Sequence, residues 1–173
     1  MTDSNSLVSL ITKETKVKVS SDKGGAKKCL IDQSPETCWT SQQALRFMSL
    51  PRSQLTFWYT QELPQYIQLL FADPAIPKRL SFIFQGGFVG TQCAVYTTPH
   101  RPDPPLTKLD WQFLTNIYPE DVNRKQTFDL PPIPSSDAQG IAGMKFVFEK
   151  SSDFFGRITI YDLSLEGIIG TTE

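Results

Sequence analysis

Histidine, the side chain best suited to acid–base catalysis near neutral pH, occurs once in this chain, at His100. A catalytic triad or a cysteine–histidine pair needs a histidine that is held by packing and oriented by a carboxylate. His100 instead lies between Pro99 and Arg101, at the start of a proline-rich segment. We therefore expect a solvated loop histidine and a protein that is not an enzyme.

The cysteines do not match a zinc site. Zinc takes about four Cys or His ligands at close spacing, whereas this chain has three cysteines, Cys29, Cys38 and Cys93, and no two of them form a C-x-x-C pair. An odd number of cysteines is also unusual for a secreted, disulfide-bonded domain. We expect buried, reduced thiols and a protein of the nucleus or cytoplasm.

Glycines cluster at 86–90, directly after a strand-like run. A phosphate-binding loop would need a G-x-G-x-x-G or Gly-Lys-Ser/Thr pattern followed by a helix. Neither pattern is present. The segment is therefore predicted to be a turn between strands, with glycine at positive φ.

Oxygen-bearing side chains offer the one candidate metal site, for calcium. Asp32 and Thr37 lie five residues apart in LIDQSPETCW, and Glu166 near the end of the last strand-like run adds a second carboxylate. Calcium binds carboxylate, hydroxyl and carbonyl oxygens. Alternatively, Asp32 and Thr37 only hydrogen-bond the amides of their own turn. We expect no other cofactor.

Aromatic residues in loop-like segments are the candidate partner-binding residues, because aromatic side chains dominate interface energetics. One group lies in a long connection and the other at glycine-containing turns: Phe57, Trp58 and Tyr59, and Phe88, Phe154 and Phe155. Alternatively, the first group forms one more strand and the second covers the core. Asp153 and Arg157 are spaced to form a structural ion pair across the last of these turns.

The length of 173 residues suits one domain, with a predicted core at about 12–168, loose termini and insertions at 44–63 and 98–109. The net charge of −1 argues against a binder of nucleic-acid backbones or a polybasic membrane anchor. No secretory leader or membrane span is expected. We expect a monomer.

Short strand-like runs recur along the chain, and this favours an all-β antiparallel sandwich or barrel. They lie at 15–19, 66–71, 80–84, 93–96, 111–118, 126–130, 144–149 and 158–167. The apolar parity changes between Ile160 and Leu163, which predicts a β-bulge near Tyr161 and Asp162. A short helical turn is predicted at 34–38, with Ser34 as its N-cap.

The order of motifs resembles the discoidin-like family, also called the coagulation-factor C-type domain. Its D-x-x-x-x-T-x-W signature matches 32–39, and Trp39 would be a core anchor. Further blocks resemble the nuclear receptor-associated group of that family: FQGGF at 84–88, YPED at 118–121, QTF at 126–128 and DFFGR at 153–157. The resemblance implies a jelly-roll sandwich of about eight strands without catalytic residues.

The resemblance also implies an intracellular protein-binding adaptor, such as a nuclear receptor-associated co-regulator that represses transcription. Two alternatives stay open on the sequence. The protein could be a subunit of a larger ciliary, cytoskeletal or ubiquitin-ligase assembly, or it could be a carbohydrate-binding module. Fold alone does not decide between these functions.

Overall fold

The computed structural model describes residues 6–21, 25–32, 34, 36–42, 45–46, 58–59, 63–100, 109–133 and 140–170. Within these ranges the chain has a single helix, α1 (Ala26–Ile31), and is otherwise built from strands. The strands are β1 (Val8–Ser9), β2 (Lys16–Val19), β3 (Trp39–Thr40), β4 (Leu45–Arg46), β5 (Trp58–Tyr59), β6 (Gln65–Phe84), β7 (Gln92–Pro99), β8 (Gln112–Ile117), β9 (Lys125–Asp129), β10 (Ile141–Lys150) and β11 (Thr159–Ile169). The helix found in this part of the chain is too short to cross a membrane.

Strand β6 belongs to two layers, because its two halves have different neighbours. Residues 67–70 lie between β2 and β10, whereas residues 79–83 lie between β9 and β11, with every pairing antiparallel. Strands β7 and β8 extend the first layer, and β1 and β3 extend the second. If the halves of β6 are counted separately, eight described strands have four or more residues. The predicted antiparallel sandwich is confirmed.

The continuity of β6 differs from the sequence prediction, which placed separate strands at 66–71 and 80–84. Pro74 and Pro77 lie between these two predicted strands, and proline cannot donate a ladder hydrogen bond. The structure instead carries one strand of twenty residues through both prolines. They are accommodated at the point where β6 changes neighbours, and the register against β11 shifts between Glu166 and Gly167, opposite Pro77.

Buried phenylalanines from both layers form the centre of the core. Phe82 and Phe84 of β6 meet Phe146 and Phe148 of β10, and all four side chains are inaccessible to solvent. The Phe82 ring packs edge to face on Phe146 at a centroid distance of 5.6 Å and on Phe148 at 5.9 Å. Burying each such ring contributes about 1.5–3 kcal/mol. The alternation of these residues along each strand therefore fixes the inner face of each layer.

The predicted bulge in β11 is confirmed. Ile160 pairs with Phe84 and Asp162 pairs with Ile83, so Tyr161 is an extra residue in the ladder. Ile160 and Leu163 are both buried in consequence. One inserted residue reverses the parity of a strand, since successive side chains point to opposite faces.

The helix lies earlier than predicted. Helix α1 covers Ala26–Ile31, and Ala26 and Leu30 on one side of it are buried. At the predicted position, the Thr37 N–H donates to the Ser34 carbonyl at 3.3 Å, which forms a turn rather than a helix. The helix was missed because two apolar residues four apart are too weak a periodic signal in six residues.

Strands β8 and β9 lie in different layers although they are adjacent in sequence. β8 pairs with β7 in the first layer, whereas β9 pairs with the second half of β6. The connection at 118–124 therefore crosses from one layer to the other at one end of the sandwich.

The predicted insertions are described only in part. Within 44–63, β4 and β5 pair as a two-stranded hairpin, and residues 101–108 of the second segment lie outside the described residues. The domain limits and the loose termini stay predictions.

Candidate functional site

Three turns meet at the end of the sandwich where β6 ends, and the glycine turn at 86–90 lies between the other two. The Gly86 N–H donates to Oδ1 of Asn123, and the Gly87 N–H donates to Oδ1 of Asp121 at 2.7 Å. Gly87 has a φ of +81°, as predicted for this turn. The layer-crossing turn thus holds the glycine turn from one side.

The turn at 151–157 holds it from the other side. The Val89 N–H donates to Oγ of Ser152 at 2.9 Å, and the Ser152 N–H donates to the Val89 carbonyl at 2.9 Å. The Thr159 N–H also donates to the Phe88 carbonyl at 2.9 Å. These bonds make the three turns one connected unit, which we call the loop end.

Asp153 and Arg157 form the predicted ion pair within the loop end. Oδ2 of Asp153 accepts from Nε of Arg157 at 3.1 Å and Oδ1 accepts from Nη2 at 3.2 Å. Oδ2 also accepts the backbone N–H groups of Phe155 at 3.1 Å and Arg157 at 3.0 Å. Four donors therefore converge on a carboxylate that is only 9% exposed.

The charges of this pair stabilise each other. Burial alone would raise the pKa of Asp153, but the hydrogen bonds from Arg157 outweigh it and lower that pKa below its usual value. The side-chain hydrogen bond to Asp153 raises the pKa of Arg157. Both groups stay charged near neutral pH.

Arg157 also connects the aromatic residues of the loop end. Its guanidinium lies 4.7 Å from the centroid of the Phe88 ring and 5.8 Å from that of Phe155. The Phe154 and Phe155 rings meet edge to face at 5.1 Å. Phe154 is 77% exposed, although its backbone lies in the turn that Asp153 organises. Three of the predicted partner-binding residues, Phe88, Phe154 and Phe155, are therefore brought together.

The layer-crossing turn carries polar residues and one more exposed ring. The Glu120 N–H donates to Oε1 of Gln126 at 2.7 Å, and Nε2 of Gln126 donates back to the Glu120 carbonyl at 2.8 Å. Glu120 also pairs with Arg124. Tyr118 is 63% exposed. The blocks that carried the family resemblance after residue 80 thus gather at the loop end.

Sequence reasoning missed Tyr118, Asp121, Asn123 and Ser152 as parts of this unit. Short polar side chains in turns frequently hydrogen-bond backbone amides, and this signal was available for the last three. Their partners lie more than thirty residues away in the chain, so the sequence alone did not identify them.

The other predicted partner-binding group is not placed at the loop end by the described contacts. Phe57 lies outside the described residues. Trp58 and Tyr59 form strand β5, where they pair with Arg46 and Leu45. Their role at an interface stays a prediction.

The candidate calcium ligands are distributed over two elements. Thr37 Oγ1 donates to both oxygens of Asp32, at 2.9 and 3.0 Å, and the Ser34 N–H donates to Asp32 Oδ1 at 3.1 Å. This is the arrangement expected if the two residues only organise their own turn. Glu166 lies on β11, 3.5 Å from Arg79. The described residues contain no group of three His, Cys, Asp or Glu side chains suited to a metal ion. The calcium site stays a prediction.

Glu166 also lines a groove of about 720 Å³ on the outer face of the second layer. Asp162, Ser164 and Lys125 lie in the same groove, with Ser34 at its wall. Its charges are mixed, since one lysine lies among two carboxylates.

The other residues singled out in the sequence are the histidine, Trp39 and the three cysteines. The His100 N–H donates to the Gly140 carbonyl at 3.4 Å. Trp39 is 2% exposed and its indole N–H donates to the Ser21 carbonyl at 3.0 Å, so its role as a core anchor is confirmed. All three cysteines are free, and burial raises the pKa of the Cys93 thiol. The prediction of burial is confirmed for Cys93 but is wrong for Cys38, which is exposed, and for Cys29, which is only partly buried.

Comparison with known proteins identifies both the fold and the family. No protein-family model matches the chain. In the solved structures, the fold is similar to the family 32 carbohydrate-binding module of Clostridium perfringens NanJ, described in complex with galactose, with a TM-score of 0.64, 14% identity and coverage of 92% of this chain and 98% of the module. Another Clostridium perfringens module, CpGH89CBM32-5, in complex with GalNAc-beta-1,3-galactose, gives a TM-score of 0.62 at 13% identity and covers 91% of this chain and 99% of the module.

Curated relatives are more similar in sequence. The nuclear receptor 2C2-associated protein of Danio rerio is 35% identical over 164 residues, which are 92% of this chain and 95% of the relative. The human protein of the same name is also 35% identical, with coverage of 92% of this chain and 96% of the relative. Identity at this level over nearly the whole of both chains shows a common family. The chain belongs to the nuclear receptor 2C2-associated protein family.

Proposed function

We propose that this protein is a non-enzymatic adaptor of the nucleus and cytoplasm, which associates with a nuclear receptor through the loop end and represses receptor-driven transcription. The names of its relatives support a receptor as the partner. The likeness of the fold to carbohydrate-binding modules supports a role in binding.

The observation that carries this proposal is the exposure of Phe154 on a turn that is already ordered. An interface hot spot is commonly an aromatic side chain that enters a pocket of the partner. Phe154 is 77% exposed, and the turn below it is held by the four hydrogen bonds to Asp153. Since little conformational entropy remains to be lost there on binding, the exposed ring can contribute most of its apolar area to affinity.

The proposal is tested by measuring the binding of purified nuclear receptor 2C2 to the full chain by biolayer interferometry. Phe154→Ala should weaken binding at least about tenfold, the loss expected when a hot-spot aromatic is truncated. Ile169→Ala is the matched control, because Ile169 is an exposed apolar residue at the opposite end of β11 from Thr159. An equal effect of the two substitutions, or no binding by the unchanged chain, would overturn the proposal.

Two other functions give different results. A carbohydrate-binding module is favoured by the likeness to modules solved with galactose, and it would show saturable binding of galactose by calorimetry. A subunit of a larger assembly would be recovered from native cells with several stoichiometric partners rather than with a receptor. If the protein is a receptor-binding adaptor, we expect neither saturable galactose binding nor recovery with several stoichiometric partners.

A further inference from the structure

The outer face of the first layer carries lysines and aromatic rings in one cross-strand row. The pairings align Phe113 of β8 with Tyr96, Tyr96 with Lys145, Lys145 with Gln68, and Gln68 with Lys18 of β2. Side chains in register on one face are direct neighbours across the strands. The row spans four interstrand steps, or about 19 Å.

The row has an aromatic half and a cationic half. The Phe113 and Tyr96 rings meet edge to face at 5.8 Å, and Phe113 is 57% exposed. At the other half, the Lys145 ammonium lies 4.6 Å from the centroid of the Tyr66 ring. Lys16 and Lys18, both exposed, follow on β2. We call these six residues the lysine–aromatic face: Lys16, Lys18, Tyr66, Tyr96, Phe113 and Lys145.

Among the residues that the structure describes, no carboxylate neutralises the cations of this face. In the described part of the chain, none of its three lysines forms an ion pair. Glu149, at the far end of β10, accepts instead from the Gln92 side chain. The outer face of the second layer differs, because Arg79 there bridges Asp129 and Glu166 at 3.5 Å each.

We propose that the lysine–aromatic face docks an extended segment of a protein partner that has acidic residues in one half and aromatic residues in the other. The spacing supports this occupant. An extended chain presents side chains on one face about every 6.8 Å, so seven residues span about 20 Å. Two carboxylates and two rings at alternate positions would therefore follow the row from Lys18 to Phe113.

A protein segment fits this face better than a nucleic acid. Binding to a phosphate backbone depends on a broad cationic field, whereas this chain has a net charge of −1 and only three lysines on the face. The face has aromatic rings at one end and lysines at the other, and this matches a protein segment that contains both aromatic and acidic residues. The inference rests on the proposed function only in taking the partner to be a protein.

The experiment measures the fluorescence anisotropy of a fluorescein-labelled peptide, Glu-Ser-Glu-Ser-Phe-Ser-Phe, on titration with the full chain. We expect saturable binding that weakens with salt, and no binding of the peptide in which both glutamates are replaced by lysine. Lys145→Glu should weaken binding at least tenfold. Lys125→Glu, a charge reversal on the opposite outer face, should change it less than twofold. Circular dichroism of both variants confirms that they are folded.

Three results would overturn the inference. They are no saturable binding up to millimolar concentration, equal effects of Lys145→Glu and Lys125→Glu, or tighter binding of an oligothymidylate of matched length than of the acidic peptide. The Lys18→Glu variant repeats the test at an exposed position, in case Lys145→Glu does not fold. Receptor binding that depends on Phe154 while the peptide fails would refute this docking face and leave the proposed function intact.

Discussion

Replacing Asp153 tests whether one carboxylate orders the loop end. We predict that Asp153→Ala lowers the free energy of unfolding by about 3 kcal/mol. The carboxylate accepts two backbone N–H groups, from Phe155 and Arg157, and two side-chain donors of Arg157. Asparagine has nearly the same shape as aspartate but keeps only one acceptor oxygen. Asp153→Asn should therefore lower the free energy of unfolding by about half as much as Asp153→Ala.

The magnitude follows from the exposure of each donor. The two backbone N–H groups are partly buried. Leaving either one without a hydrogen-bond partner lowers the free energy of unfolding by about 1 kcal/mol. The Arg157 side chain is 36% exposed, so water replaces much of its interaction with the carboxylate. Its share is therefore about 1 kcal/mol rather than the full value of a buried charged pair.

The assay is urea unfolding at several pH values, with the unchanged chain and Asp153→Asn side by side. Since the folded-state pKa of Asp153 lies below its unfolded value of about 3.9, its charge stabilises the fold fully above that value. This contribution is lost as the pH falls through the folded pKa. The difference between the two proteins should therefore be constant from pH 7 to about 5 and shrink below about pH 4.

Asp129→Ala is the control, because Asp129 pairs with Arg79 at 3.5 Å but is largely exposed. Its cost should stay below about 0.5 kcal/mol. If Asp153→Ala cost no more than Asp129→Ala, or if the Asp153→Asn difference grew below pH 4, the carboxylate would not order this turn.

Three further outcomes can be measured on the purified chain. Trp39→Ala should cost about 3–5 kcal/mol in urea unfolding, whereas Trp39→Phe should cost far less because mainly the 3.0 Å bond to Ser21 is lost; near-equal losses would contradict a core role. Thr98→Val should stabilise by about 1 kcal/mol, since the Thr98 hydroxyl is buried without a hydrogen-bond partner in the described structure; destabilisation would refute this. Calcium should raise the melting temperature if Asp32 and Thr37 bind it, and Asp32→Asn should abolish that shift. If calcium left the melting temperature of the unchanged chain unaltered, the predicted calcium site would be refuted.

The local pattern was sufficient for most of the longer strand segments and for the inner faces of several of them. Alternation at 144–149 placed Phe146 and Phe148 in the core, and the change of parity after Ile160 located the bulge at Tyr161. These features depend on the two-residue period of a strand, which each segment carries by itself. The family blocks are also short and local, and the resemblance that they carry implied the sandwich independently of this period.

Strand neighbours could not be predicted in the same way. Nothing near Pro74 shows that β6 continues through it, and nothing between β8 and β9 shows that they belong to different layers. The backbone N–H and C=O groups of a strand can form their ladder hydrogen bonds with many different neighbouring strands. The choice is made by the burial of the whole core, which depends on residues far apart in the chain.

The sequence by itself thus determined that this chain is built mainly from strands, which side of several of them is buried, and which family it resembles. Only the tertiary structure decided that the turns bearing Gly87, Asp121 and Asp153 form one loop end, and that Lys18 and Phe113 share one row. The reason is physical: side-chain period is a property of a segment, whereas register and proximity arise only when distant segments pack together.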